Sequence, residues 1–169
     1  MSVLIADTSG LVSLGIVAGE EPDPLGRCLS RYEVIVPQVV IEELQEIAVY
    51  DDVHGCSATR VLDRTERFES RSVDLDAEFP LDEGENAAVT LANARDASVL
   101  LCDEFNQLGL IHASLANTRL VATPTILSVL VRAEELSATD ARTLLNEISD
   151  ARSWETNSYV QRARSLLDR

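Results

Sequence analysis

Residues Val3-Leu4-Ile5-Ala6 carry no polar side chain, and Asp7-Thr8-Ser9-Gly10 follow them at once. So short an apolar run fits a strand covered on both faces, and strands of that kind belong to parallel sheets with helices on either side. Asp7 and Thr8 are cap-type side chains, and the residues after them stay largely apolar through Ile16. The opening therefore predicts a central strand passing directly into a helix.

The same alternation recurs along the chain. Glu33 to Val36 reads as a second strand, and Pro37 then stands where a helix begins, with Val40, Ile41, Leu44 and Ile47 on its apolar face. Between Tyr50 and Ser70 the chain is charged; its second half is expected to be helical, with Val61, Leu62 and Phe68 facing inward. Arg71 to Leu75 is a weak strand candidate. Pro80 to Glu85 leads into a helix carrying Ala88, Val89, Leu91 and Ala92, and Ser98 to Cys102 is an apolar strand ending in Asp103. A helix from Phe105 to Leu115, a strand from Arg119 to Ala122 and a helix from Thr123 to Glu134 come next. The tail from Ser137 to Arg169 reads as two amphipathic helices, the first capped by Ser137 or Thr139. Strands alternating with helices of this length predict a three-layer α/β/α sandwich with a mostly parallel central sheet. The expected organisation is one domain over residues 1–135 and a C-terminal helical extension, 136–169, packed on it. There is no internal repeat and no low-complexity linker.

Charge narrows the chemistry. Acidic residues number 29 against 14 basic ones, for a net charge of −15 and a pI near 4.4. Every basic residue is arginine, and lysine is absent. That excludes a Walker-A lysine, a Schiff-base lysine and the lysine of a receiver domain, and it speaks against an ordinary basic nucleic-acid-binding face. So acidic a surface is expected of a halophilic protein, since at roughly 1 M salt the Debye length is about 3 Å and self-repulsion is screened. The alternative is an acidic mesophilic protein whose codons favour arginine. Cys28, Cys56 and Cys102 show no zinc or disulfide spacing, and His54 and His112 are too few for a histidine-rich metal site. Neither histidine is expected near the carboxyl edge of the sheet. With no apolar span and no signal-type N-terminus, a cytoplasmic protein without membrane contact is expected.

In open parallel sheets, ligands bind beyond the carboxyl ends of the strands. Two strands deliver an acid there, Asp7 and Asp103. Glu43 stands one step from the buried face of its helix, and Glu85 lies in the first turn of another, next to Gly84. Four converging carboxylates without histidine or cysteine form an all-oxygen site suited to Mg²⁺ or Mn²⁺. Such ions activate water for attack on phosphorus. Each acid also has a plainer reading: Asp7 as a helix cap, Glu85 as a complement to a helix dipole, Glu104 as part of a solvated acidic face.

Taken together and in order, these pieces resemble a PIN domain. The matching segments are Val3-Leu4-Ile5-Ala6-Asp7-Thr8-Ser9, Val36-Pro37-Gln38-Val39-Val40-Ile41-Glu42-Glu43-Leu44, Leu81-Asp82-Glu83-Gly84-Glu85-Asn86-Ala87-Ala88 and Val99-Leu100-Leu101-Cys102-Asp103-Glu104. The resemblance is nearest to small prokaryotic PIN proteins similar to VapC-type toxins. It implies a metal-dependent endoribonuclease with Asp7, Glu43, Glu85 and Asp103 around one or two Mg²⁺ or Mn²⁺ ions. Thr8 and Ser9 would support the first acid, and Glu104 is a further candidate. It also implies an RNA substrate, a homodimer and an inhibitory antitoxin protein. Such proteins often carry a second Asp and basic residues after the fourth acid, where this chain has Glu104, Asn106 and Gln107. Phosphate contacts would then fall to Arg27, Arg31, Arg60, Arg64 or Arg67. The alternatives are a non-catalytic PIN-like regulatory or partner-binding module and a housekeeping RNA-processing nuclease. A haloacid-dehalogenase-like phosphatase fits poorly, because position 9 is Ser and there is no lysine.

Overall fold

The computed structural model describes residues 1–168, and in it every strand runs the same way. Five strands, β1 (Val3–Ala6), β2 (Glu33–Pro37), β3 (Glu69–Arg71), β4 (Val99–Leu101) and β5 (Arg119–Val121), form one parallel sheet in the order β3-β2-β1-β4-β5. The register sets Ile5 beside Ile35 on one side and Leu100 on the other. Because successive side chains of a strand point to opposite faces, β1 is split between two cores. Leu4 and Ala6 join Val34, Val36, Leu101 and Val121 on one face, while Ile5 joins Ile35, Leu100 and Cys102 on the other. That is why β1 tolerates no polar residue, and it makes the molecule three-layered as the alternation predicts.

The second face is covered by α5 (Glu83–Ala94), through Ala88, Val89, Leu91 and Ala92, and by α6 (Leu108–Ser114), through Ile111. The first face carries α1 (Thr8–Ile16), α2 (Pro24–Arg31), α3 (Gln38–Ala48), α4 (Val53–Leu62) and α7 (Thr123–Arg132). The last two helices, α8 (Ala138–Arg152) and α9 (Ser158–Leu167), bury Leu145, Ile148 and Val160 in that same core. Ser137, rather than Thr139, caps α8 by accepting the Asp140 N–H at 3.0 Å.

Three local expectations need correction. The charged stretch after Tyr50 is helical in its first half, because Asp52 accepts the Gly55 N–H at 2.7 Å and starts α4 early. The third strand is Glu69–Arg71 rather than 71–75, as Glu69 to Arg71 pair with Ile35 to Pro37 of β2. Helix α6 starts at Leu108, since Asp103 to Gln107 is taken up by turns closed by Phe105 N–H to Asp103 O and Gln107 N–H to Glu104 O. Helix α2 was not anticipated, although Asp23-Pro24 is a start signal: Asp23 accepts the Gly26 N–H at 3.1 Å, and Pro24 needs no donor. Among the described residues no helix is long and apolar enough to cross a membrane.

Candidate functional site

Strand order reverses between β1 and β4. The chain runs outward from β1 through β2 to β3, then crosses by α5 to β4 on the other side of β1. Helices leaving the two strands diverge at such a point and leave a crevice beyond the carboxyl ends. Asp7 and Asp103 stand there, joined through the backbone by the Asp7 N–H on Leu101 O at 3.0 Å. A half-open cavity of about 430 Å³ occupies the crevice.

Asp7 holds the N-cap position of α1 by backbone geometry, yet its side chain makes no cap hydrogen bond. Its carboxylate is held by other groups. Ser9 Oγ donates to Asp7 Oδ2 at 3.3 Å, and Cys102 Sγ donates to the same oxygen at 3.3 Å. Ser9 Oγ also accepts the Asp103 N–H at 2.9 Å, so one hydroxyl ties the two strand ends together. Thr8 Oγ1 points the other way and donates to Glu43 Oε1 at 3.0 Å. The Thr8-Ser9 pair thus positions two acids from two different elements.

Glu43 reaches the cavity from α3 across the first turn of α5, and Gly84 makes the approach feasible. A Cβ at Gly84 would collide with the Glu43 carboxylate. Glu85 follows directly, its N–H donating to the α5 cap Asp82 at 2.8 Å. Asp7, Glu43, Glu85 and Glu104 all line the cavity, with Asp82 and Asp52 at their sides.

Asp103 does not line it. It is 4% exposed, and both oxygens are engaged by Thr123, whose N–H donates at 2.7 Å and whose hydroxyl donates at 2.6 Å. The structure brings Asp7, Glu43 and Glu85 to one cavity, sets Asp103 behind them as a link between β4 and α7, and places the exposed Glu104 on the cavity lining. Among the described residues no three His, Cys, Asp or Glu side chains stand tightly enough to hold one ion as they are.

The carboxylates are charged at a cost. Burial pushes Asp7 up to about 7, and Glu43 and Glu85 add repulsion against the opposing pull of the Thr8 N–H and the Cys102 thiol. Burial likewise raises Glu85 to about 7, reinforced by Asp82 and Glu104. Glu43 is raised by burial and then by neighbouring acids, with the Thr8 hydroxyl opposing. Glu104 is raised by burial, with Arg152 opposing. Hard oxygen donors crowded in a partly dry cavity, each lacking enough positive charge, fit a divalent cation.

A family model described as a PIN domain matches residues 3–169. The chain belongs to the PIN-domain family. Comparison with curated proteins gives no significant match. PIN domains are generally nucleases and generally use divalent metals, and the match extends through α8 and α9.

Within this PIN domain the cations are not where the sequence pointed. Arg60 donates to the Gly15 and Ile16 carbonyls at 3.3 and 3.0 Å, and Arg64 to Ala18 O at 2.7 Å while pairing with Asp23. Arg67 donates to Gly26 O and Ser30 Oγ, Arg27 pairs with Glu21 and Arg31 with Glu135. None of the five lines the cavity. Arg152, from the end of α8, does. So does His54, against the expectation that no histidine stands near this edge, because the early start of α4 carries it to the rim. Tyr50, 65% exposed, stands beside it on the lining. An Asp52 cap signal before His54 was the one clue available in the sequence.

Proposed function

We propose that this PIN domain is a metal-dependent endoribonuclease that hydrolyses RNA phosphodiester bonds. The observation that carries the reading is the shared cavity of Asp7, Glu43, Glu85 and Glu104, whose burial and mutual repulsion call for a cation and whose oxygen donors suit Mg²⁺ or Mn²⁺. Asp7, anchored on one oxygen by Ser9 and Cys102, is the central ligand; Glu43, Glu85 and Glu104 complete the set from three other segments. Asp103 is proposed as a ligand only through movement away from Thr123; as it stands it fixes the loop that carries Glu104. A divalent cation bound there supplies Lewis acidity toward the phosphate and a more acidic water. The chain's own part is to orient those oxygens, through Thr8 on Glu43 and Ser9 on Asp7, and to exclude water behind Asp7. His54 offers a proton donor on the lining for the departing oxygen.

The finer biological role follows the resemblance to VapC-type proteins: a toxin that acts as a homodimer in the cytoplasm and is restrained by an antitoxin protein, working in concentrated salt. A housekeeping RNA-processing enzyme has the same site chemistry. One observation favours the non-catalytic alternative, namely that among the described residues no three acids already stand at the spacing of a single ion. Cleavage of a defined RNA pool, including tRNA and rRNA, in molar KCl decides. Wild type is expected to cut with Mn²⁺ or Mg²⁺ and not with chelator, and Asp7→Asn to lose at least 1,000-fold, roughly the scale of removing one strong electrostatic contact to a transition state. A folded wild type that cuts nothing under any metal rejects the nuclease reading and favours the partner-binding module.

A further inference from the structure

Helix α8 ends at Arg152, and the way it ends fixes where that side chain goes. Ser153 is left-handed, with φ 58° and ψ 48°, and the Trp154 N–H returns to Ser149 O at 2.9 Å. This closes the helix and folds Trp154 back against the body, where it is 7% exposed. The indole stands edge-on to Phe105 at 5.1 Å, and Phe105 stacks on Tyr159 at 5.4 Å. Phe105 directly follows Glu104, so the aromatic cluster joins the end of α8 to the loop that carries a cavity acid. The Arg152 guanidinium lies over the indole, 5.8 Å from its centroid.

Braced in this way, Arg152 is, among the described residues, the one basic side chain besides His54 on a lining otherwise rich in acids. Its charge favours the ionised forms of Glu104 and Asp103. Yet no ion pair or side-chain hydrogen bond among the described residues includes it, in contrast to Arg60, Arg64 and Arg67. A guanidinium held over the indole with no protein acceptor among the described residues matches the non-bridging oxygens of a phosphodiester, which it can grip with two parallel bonds. A helix C-terminus favours a cation in general, but that alone would leave the arm in solvent rather than over an indole beside the cavity.

We propose that Arg152 is the phosphate anchor of the RNA substrate, so that the last helices of the chain complete the site. The inference rests on the nuclease reading and assigns the backbone contact that reading leaves open.

Wild type, Arg152→Gln and Arg152→Lys are compared in steady-state cleavage of a fluorescent RNA oligonucleotide with Mn²⁺. Mn²⁺ affinity is measured by calorimetry without RNA, and folding is followed through Trp154, the sole tryptophan. R152Q is expected to lower kcat/KM about 10- to 100-fold, mainly through KM, the scale of one charged hydrogen-bonding contact. R152K should recover part of the loss, because a point charge replaces the fork. Mn²⁺ should bind R152Q as tightly as wild type or more tightly, since a positive charge beside the acids is gone. R152Q that keeps kcat/KM within twofold overturns the proposal while leaving the nuclease intact. So does a loss that follows weaker Mn²⁺ binding or a lower melting temperature with KM unchanged. A wild type that cuts no RNA overturns the underlying reading and the anchor with it.

Discussion

The two ends of α1 handle charge in opposite ways. At its C-terminal end, the Gly15, Ile16 and Ala18 carbonyls are met by Arg60 and Arg64, and Arg64 is paired in turn with Asp23 at 2.5 Å. Donors meet acceptors there, and cations sit at the negative end of the helix dipole. At its N-terminal end the sign relative to the dipole is again favourable, with acids at the positive end, but these acids face one another. Glu43 and Glu85 raise the pKa of Asp7, Asp82 and Glu104 raise those of Glu43 and Glu85, and among the described residues Arg152 is the only arginine on the lining. One end is built for stability, and the other keeps unmet charge for something else to satisfy.

The largest effect on stability is expected at the paired end. The Arg64 and Asp23 side chains are only 21% and 15% exposed, so Arg64→Ala strands a carboxylate and opens the Ala18 carbonyl. A loss of about 3 kcal/mol in chemical unfolding is expected, the lower range for breaking a shielded pair. RNA cleavage per folded molecule should not change. A variant that stays as stable as wild type would show that the arginine seam is decoration and end the contrast.

A smaller effect, of opposite sense, is expected at the cavity. Asp7 and Glu85 hold their protons up to about pH 7 when folded and release them near pH 4 when unfolded. Between those values the folded state binds more protons, so the metal-free protein should lose stability as pH rises from about 5 to 7.5. The ceiling is roughly 1.4 kcal/mol per pH unit for each acid, and screening by the solvent that reaches Glu85 and by salt brings the expected loss down to about 2 kcal/mol. Asp7→Asn should flatten the slope and stabilise the metal-free protein at pH 7.5, and Mn²⁺ should flatten it in wild type. Unfolding curves in molar KCl at several pH values, with and without chelator, check this. Stability that rises over the same range would mean that the acids are satisfied within the protein, which removes the argument for a cation.

Most of this was legible in the sequence where one residue is answerable to one local rule. The apolar run Val3–Ala6 forecast a strand buried on both faces, and Asp7, Glu43 and Glu85 follow from position on strands and helix starts. Asp103 and Glu104 were harder to separate. Adjacent residues on a turning loop point apart, and which one faces the cavity depends on Thr123, twenty positions away, engaging both oxygens of Asp103. The arginines failed for a related reason. Arg60, Arg64 and Arg67 look like free cations in a chain poor in them, but Arg60 and Arg64 meet carbonyls at the end of α1 and Arg67 meets Gly26 and Ser30 of α2, acceptors set by helix ends that no pattern marks. Arg152 and His54 reach the cavity through long-range packing of α8 and an early start to α4.

The smallest stability change, and the sharpest test of division between fold and site, is expected at Gly84. Its φ is ordinary, so the position does not need glycine for its backbone; the space is what matters. Gly84→Ala places a methyl group where the Glu43 carboxylate lies, and that carboxylate is the far end of a flexible side chain able to swing away. Position 84 is in the first turn of α5, where alanine improves helix propensity by up to about 1 kcal/mol over glycine. The melting temperature should therefore hold or rise slightly. Glu43 should lose its Thr8 bond and its place among the acids, and Mn²⁺ affinity should fall about tenfold, roughly the cost of disturbing a ligand's support. Calorimetry of Mn²⁺ binding beside thermal unfolding separates the two. A protein that melts earlier yet binds Mn²⁺ as before would place Glu43 in the packing of α3 against α5, and the cavity would then have to work with Asp7, Glu85 and Glu104 alone.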